Sequence, residues 1–465
     1  MIKGPYQPTW ESLDSHPLPQ WFDDGKFGMF IDWGLWSVPG WGPLPEKGAT
    51  YPDWYLFRMY NQYRDYHVKT YGEDFERDDF IPMFTGEEYN PQELIKIAQQ
   101  SGMKYVVPFC KHHDGFCLWP SSVTGRDAMD MSPKRDLIGP LVKACRAAGM
   151  KFGFYQSVEE WEYPVLDENG HLQVRIWDGA KAPYLAPYDE KRLRRKITGK
   201  IPVRNYAKEY LAPQTLEFIE KYDPDLLWYD GDWTTPADEL DTREVVADYY
   251  NRAEGRKEVC VNDRMGMTRL KHGDFYTSEY GEVYGHGEFD ITSGARKKWE
   301  ECRGISQSFG YNWQDTEKNI ISAGEFVRML VKIVAHNGNL LLIVNLDGKG
   351  ALPEIQRTRL MEVGRWLRVN GEAIYGTRPW KRPAQGDIHF TRSMDGRYVY
   401  IISHQRPSGS LRIESLRAAD GSKVQLLGGP AALDWKQNGD NLEIGAAAQP
   451  NSAEHAWVFK VEMQR

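Results

Sequence analysis

No apolar run in the 465-residue sequence approaches the roughly 20 residues that a membrane-spanning helix needs, so no membrane partner is expected. The amino terminus, Met1-Ile2-Lys3-Gly4-Pro5-Tyr6, lacks the apolar stretch of a secretory leader. A cytoplasmic location is therefore expected unless a leader was removed. Cysteine is scarce. Cys110, Cys117, Cys145, Cys260 and Cys302 are odd in number and contain no CxxC pair, which fits free buried thiols better than a disulfide framework or a zinc site. There is no HxH or HExxH, so neither a metal nor another cofactor is expected, and no GxGxxG opens a helix as a dinucleotide fold requires. Internal repeats and low-complexity segments are absent. So is any excess of positive charge: the formal net charge is −8 with both signs interspersed, which argues against nucleic acid as a partner.

What is present is the composition of an ordinary globular chain, 41% hydrophobic and 27% charged. The length accommodates one barrel-sized unit and a smaller one. From about residue 26 to 346 short β-rich runs (27–31, 105–109, 152–155, 226–229, 259–261, 340–344) alternate with helical patterns (91–101, 138–148, 206–222, 243–253, 323–336). Such alternation predicts parallel βαβ units, and the size fits a (β/α)8-like barrel with its active site where the strands end. A doubly wound open sheet is the rival. After a helix-like stretch at 357–369 the character changes. Residues 388–391, 398–403 and 457–461 are strand-like runs separated by turn signals such as Asp395-Gly396, which predicts a small antiparallel β-sandwich. The expected division is 1–372 for the barrel and 373–465 for the sandwich. The polar, Lys- and Arg-rich stretch 167–201 is expected to be a solvated excursion over the barrel mouth. The oligomeric state is left open, a homo-oligomer included.

Polar residues follow the apolar runs. Asp32 follows 27–31, and Lys111, His112, His113 and Asp114 follow 105–109. Asp230 follows 226–229, and Asn262, Asp263 and Arg264 follow 259–261. Such groups at the mouth of buried strands are costly unless paired or used. Asp230 can serve as nucleophile or base, or can merely cap a turn before Gly231; Asp232 is its neighbouring rival. Glu279, in Thr277-Ser278-Glu279-Tyr280, offers a second carboxylate, with Glu282 and Glu288 as alternatives. His112 and His113, if on extended backbone, would point to opposite faces, which suits hydroxyl recognition better than metal binding. Arg264 can orient a carboxylate or lower its pKa, or form a purely structural ion pair. Aromatics make up 13% of the chain, with 17 Trp, and their faces suit both cores and sugars.

Taken together, Lys26-Phe27-Gly28-Met29-Phe30-Ile31-Asp32-Trp33-Gly34, Lys111-His112-His113-Asp114-Gly115-Phe116, Leu226-Leu227-Trp228-Tyr229-Asp230, Asn262-Asp263-Arg264 and Ser308-Phe309-Gly310-Tyr311-Asn312 resemble the α-L-fucosidases of glycoside hydrolase family 29. The resemblance runs from Pro8-Thr9-Trp10 into the C-terminal β-region. It implies a retaining exo-glycosidase on a (β/α)8-like barrel with a C-terminal β-sandwich, no metal, and a small carbohydrate as substrate. Asp230 matches the family's nucleophile and Glu279 the acid/base of its bacterial members. His112, His113, Tyr155, Trp228, Arg264 and Phe309 fall on positions that line the sugar pocket. Asp53 and Trp54, in Asp53-Trp54-Tyr55, replace a Glu-Trp-Tyr that binds hydroxyls.

Two departures stand out. Asp32 occupies a position usually held by His, which adds negative charge near Asp230 and leaves open a different L-galacto-configured sugar as substrate. Asn339-Leu340-Leu341-Leu342-Ile343-Val344-Asn345-Leu346 lacks the family's Asn-Val-Gly-Pro after the leucines. A catalytically weak sugar-binding homologue is the competing class, and a purely structural scaffold is disfavoured by so many polar groups at strand ends.

Overall fold

The computed structural model describes residues 2–281, 298–407, 409–429, 432–445 and 454–464. Eight parallel strands form its centre: β1 Phe27–Asp32, β2 Tyr105–Lys111, β3 Lys151–Ser157, β4 Leu226–Asp230, β5 Cys260–Val261, β6 Tyr276–Glu279, β7 Trp299–Gly304 and β8 Gly338–Asn345. In space they run β5-β4-β3-β2-β1-β8-β7-β6, so each strand lies beside its neighbour in sequence and β8 returns to β1. This is the cyclic order of a (β/α)8 barrel. Strands β1, β2 and β8 are buried along their whole length, which is why they read as continuous apolar runs rather than as alternating ones.

Only β5 and β6 share no ladder. Aspartates close that seam instead. Asp274 Oδ2 accepts from the Val261 N–H (2.8 Å), and Asp263 Oδ1 accepts from the N–H (3.1 Å) and Oγ1 (2.7 Å) of Thr277. Strand β5 has two residues, but Asn262 extends it with its side chain. Its Oδ1 accepts from the Tyr229 N–H (2.9 Å) and its Nδ2 donates to the Tyr229 carbonyl (2.8 Å), copying a ladder pair.

Helices Pro91–Gln100, Ile138–Ala147, Ala212–Tyr222, Thr242–Ala253, Ala323–Ala335 and Glu354–Asn370 cover the barrel. Among the described residues no helix is long and apolar enough to cross a membrane. The predicted helix over 206–222 is interrupted by wider π turns at Ala207–Leu211, just before Pro213. Proline there has no N–H to continue the α ladder. Strand β7 escapes the sequence pattern because its residues include Glu300, Glu301 and Arg303. Glu300 is nonetheless fully buried, accepting from Tyr105 and from Trp228 Nε1 (2.9 Å). Gly28 faces the same place: a Cβ there would lie 2.4 Å from the Tyr105 ring.

The stretch expected to be a solvated excursion is more ordered than that. Strands Glu162–Leu166, Leu172–Ile176 and Tyr184–Pro187 form an antiparallel sheet tied to the barrel by buried ion pairs. Glu160 accepts from Lys111 (2.9 Å) and Lys200 (2.6 Å), and Arg77 pairs with Glu162 (2.5 Å). The abundant Lys and Arg of this region thus serve partly as buried counter-charges. All five cysteines are buried and free.

Beyond helix Glu354–Asn370 the chain turns to antiparallel strands. A five-stranded sheet (Thr377–Gln385, Ile388–Ser393, Tyr398–Ser403, Trp457–Glu462, Gln425–Leu426) faces a three-stranded one (Leu411–Ile413, Asn441–Ile444, Trp435–Asn438). Phe390, Ile401, Phe459 and Val461 of the first share one apolar core with Ile413, Leu442 and Ile444 of the second. Pro379 and Pro383 lie on the edge strand Thr377–Gln385, which tolerates missing donors.

Where this sheet meets helix Ala323–Ala335, His389 Nδ1 and His404 Nε2 lie 3.2 Å apart. Burial holds both rings down at about 4; the positive charge of Arg328 acts in the same direction, while Asp387 opposes it at His404. His336 and Lys332 add to the depression at His389. The folded protein therefore binds fewer protons than the unfolded chain between about pH 4 and 6.5, so stability is full above that window and falls as pH drops through it. Unfolding free energies from urea titrations at pH 7 and 4.5 should differ by roughly 1–3 kcal/mol from this pair. In the double variant His389→Asn/His404→Gln that part of the slope should vanish; an unchanged slope would assign the acid sensitivity elsewhere.

Candidate active site

Alternation along the strands decides what enters the barrel. On β1 the inward residues are Gly28, Phe30 and Asp32, and on β4 they include Trp228 and Asp230. Phe30, Phe109, Tyr155 and Trp228, one from each of β1 to β4, form an aromatic layer. The Phe30 and Trp228 centroids are 4.9 Å apart, and Phe109 stacks on Tyr155 at 3.8 Å. This layer floors a cavity of about 340 Å³ at the carboxyl ends of the strands. Asp53, Trp54, His112, Asp230, Arg264, Glu279 and Phe309 stand around it, together with Tyr51, Arg58, Trp177, Trp233 and Arg269.

Asp230 ends β4, and Gly231 turns the chain away at φ 97°, packed 3.1 Å from Glu159 at the place where a side chain would begin. The Asp230 carboxylate is fully engaged. Tyr155 donates to Oδ2 (2.8 Å), Arg264 Nη1 to Oδ1 (3.0 Å), and His113 Nε2 lies 3.5 Å from Oδ2. Burial alone would raise its pKa. The approach of His113, then the Arg264 charge and the Tyr155 hydroxyl, outweigh that and hold it well below the usual carboxylate range.

Arg264 lies between two acids. Its Nε donates to Thr277 Oγ1 (2.8 Å), which fixes the fork, and both Nη atoms lie 3.4 Å from Glu279 Oε2. The guanidinium also covers the Trp228 ring at 4.9 Å. Because Nη1 touches both acids, Asp230 Oδ1 and Glu279 Oε2 lie at most about 6.4 Å apart, the sum of the two contacts. Tyr51, which the sequence reading passed over, lines the cavity with Glu279, and its ring stacks on Phe309 at 5.4 Å.

His112 and His113 follow the last residue of β2 and enter a turn, so they do not diverge as extended neighbours would. Their rings are 4.2 Å apart. His113 is held from behind, with Nδ1 at 3.0 Å from the Glu159 carbonyl, which only accepts. Burial, and then His113, push His112 well below its ordinary pKa, so it is neutral. Its Nε2 is 3.9 Å from Asp53 Oδ2. Burial pushes Asp53 up, as do the Glu279 and Asp230 charges, against the pull of Arg58. A neutral imidazole and a carboxyl inclined to hold its proton can each donate and accept, which suits sugar hydroxyls.

Asp32 faces inward but does not reach the cavity. It is fully buried, accepts from Trp36 Nε1 (2.6 Å), and is pushed well up by burial and then by the Asp53 charge. Trp36 in turn packs on His112 at 4.7 Å. Asp232, the rival of Asp230, is buried outside the cavity lining and raised to about 6 by burial. Glu282 and Glu288 lie outside the described residues. The variant strand end at Asn345 acts on loop shape: its Nδ2 donates to the Phe309 carbonyl (2.6 Å). Trp177, Trp233 and Arg269 left no recognisable signal in the sequence, because each stands in a loop brought to the mouth by its own connection, and Arg58 ends the short helix Tyr55–Arg58.

Comparison with known proteins agrees with this geometry. The Alpha-L-fucosidase family profile matches residues 2–372, and that of the Alpha-L-fucosidase C-terminal domain matches 382–462. The tissue alpha-L-fucosidase of Homo sapiens is 33% identical, over 98% of this chain and 91% of its own. An alpha-L-fucosidase of Dictyostelium discoideum is also 33% identical, over 98% and 95%. The crystal structure of Thermotoga maritima alpha-fucosidase in complex with fucose is 35% identical, covers 98% of this chain and 100% of its own, and superposes with a TM-score of 0.76.

The arrangement predicts the effect of removing the shared cation. Arg264→Met should lower kcat/KM by about 100-fold or more, since a preorganised charge at a reacting centre is lost. It should also move the acidic limb of the pH profile upward, because Arg264 is a main cause of the depressed Asp230 titration. A limb that stays in place would show that His113 and Tyr155 suffice.

Proposed function

The chain belongs to the α-L-fucosidase family, and from that premise we propose that it is a retaining exo-glycosidase in which Asp230 is the nucleophile and Glu279 the acid/base. In the first step an Asp230 oxygen bonds to the anomeric carbon while the bond to the leaving oxygen breaks, and Glu279 gives that oxygen its proton. In the second, water attacks the same carbon, the ester to Asp230 breaks, and Glu279 takes the proton from the water. The observation that carries this reading is Arg264 Nη1 within reach of both acids. The resulting bound of about 6.4 Å on the nearest oxygens admits the 5–5.5 Å of retaining pairs.

The electrostatics support the division of labour. A nucleophile must be ionised, and the surroundings of Asp230 favour its charge strongly. The volume of the cavity suits a small ligand such as one terminal sugar. Its floor of Phe30, Phe109, Tyr155 and Trp228 gives an apolar wall, and Phe309 adds to it. Such a wall suits the methyl group of a 6-deoxy sugar and gives little to a hydroxyl at that carbon. His112, His113 and Asp53 bind the ring hydroxyls in this reading. Asp32 acts indirectly, by holding Trp36 against His112.

Three measurements test it. A 2-fluoro fucosyl fluoride should label the protein once, on the peptide containing Asp230; a label elsewhere would reassign the nucleophile. Asp230→Ala should fold and lose about 10³-fold or more in kcat. Glu279→Ala should regain turnover of an activated aryl fucoside in azide, releasing the α-configured fucosyl azide. Failure of azide to rescue would move the acid/base role to Glu282 or Glu288. Separately, Asp32→His should leave the order of preference among aryl glycosides varied at C4 and C5 unchanged, since Asp32 does not reach the cavity. A reordered panel would give it a direct contact with sugar.

A further inference from the structure

We infer that the leaving-group side of the cavity receives an aglycone bearing an anionic substituent, a carboxylate or sulfate ester on the unit next to the fucosyl residue, bound by Arg58. This inference rests on the reading of Glu279 as acid/base.

The side in question is marked by Tyr51. It lines the cavity with Glu279, and its ring lies 6.3 Å from that of Tyr280, the residue that follows Glu279, so it stands on the side where the leaving oxygen must be protonated. The guanidinium of Arg58 lies directly behind, 5.7 Å from the centroid of Tyr51, 5.8 Å from that of Trp54 and 5.6 Å from that of Tyr63. Arg58 lines the cavity and is half-buried. Its one hydrogen bond runs from Nη1 to the Tyr63 hydroxyl (2.9 Å). Among the described residues no carboxylate comes within ion-pair distance of it, whereas Arg77, Arg126 and Arg175, likewise near the excursion, each have one. Three aromatic faces offset part of the cost of partly desolvating this cation and hold it rigid. They do not neutralise it, and most of its five donors remain for a ligand.

The neutral fucosyl unit supplies no charge to meet it, and Asp53, the acid on which Arg58 pulls, is held towards its protonated form by burial. A planar, preorganised guanidinium recognises carboxylate and sulfate oxygens in pairs, where a hydroxyl would take one bond. The same cavity wall carries a surface for a second ring. Trp177 and Trp233 stack at 4.7 Å with 29° between planes, and Trp177 is fixed by a bond from its Nε1 to Thr234 Oγ1 (3.0 Å). Aromatic platform and cation together fit a charged sugar better than a plain alkyl or aryl group.

The test compares matched pairs: fucosyl disaccharides whose reducing unit is a uronic acid or a 6-sulfated sugar, each against its neutral counterpart. Wild-type protein should favour the anionic member in kcat/KM by about tenfold or more at low salt. The preference should shrink at 0.5 M NaCl, where an exposed rim charge is screened. In Arg58→Met the ratio within each pair should fall towards one, and in Arg58→Lys it should be partly kept. The ratio is internal to each variant, so a general loss of activity or folding does not mimic the result. A wild-type ratio near one, or a ratio that survives in Arg58→Met, would overturn the inference while leaving the hydrolase reading intact. Absence of turnover on every fucoside, neutral aryl ones included, would overturn that reading and this inference with it.

Discussion

Two largely buried acids that both reach one cation are held in place by it, whichever of them carries the charge. Arg264 is that cation, and much of the surrounding architecture serves to hold it. The three residues Asn262-Asp263-Arg264 divide the task. Asn262 binds the backbone of β4 and Asp263 binds that of β6, so the guanidinium that follows them is placed between an acid on each of those strands. This happens at the one seam where the barrel has no strand ladder. There, side chains supplement the backbone hydrogen bond from the Asp274 N–H to the Val261 carbonyl (2.9 Å), and the placement of Arg264 between the two acids is set by the same residues that join β5 to its neighbours.

A second set of buried charges supports the site from outside it. Lys111, at the end of β2, meets Glu160, which also takes Lys200 from the far end of the excursion. The neighbouring Glu159 holds His113 by its carbonyl and meets Arg175 by its carboxylate. The excursion that brings Trp177 to the cavity is thus fastened to the residues that orient His113. Buried ion pairs are poor sources of net stability, because desolvating them costs nearly what their attraction returns. Removing one partner is far more harmful than never having had the pair. The network therefore acts mainly to specify one arrangement of the mouth.

The floor of the cavity obeys a simpler constraint. Parallel strands buried on both faces must fill the barrel with side chains, and the upper layer here is aromatic. Two residues further along β4, on the same face, the filling turns polar at Asp230; β1 does the same at Asp32. One of these acids opens onto the cavity and the other is capped by Trp36. Strand position alone made them look equivalent, and the indole that shields Asp32 comes from four residues downstream.

Much of this was legible in the sequence. Apolar runs ending in Asp230, in Lys111-His112-His113 and in Asn262-Asp263-Arg264 announced strands with polar groups at their carboxyl ends, because a buried strand and its exposed end demand opposite residue types. Those segments, with the Phe309 region, also carried the likeness to α-L-fucosidases. Strand β7 was hidden, since Glu300 is buried among hydroxyl and indole partners that come from β2 and β4. The excursion is largely exposed, as expected, but its sheet and the buried partners of Arg175 and Lys200 were missed, since a charge run looks the same whether its counter-charges are water or a buried glutamate. Local pattern determined which residues could be buried, extended or ionised. Only the tertiary structure decided which charges would meet, because Arg264 and its two acids become neighbours through the closure of the barrel, and no spacing along the chain encodes that.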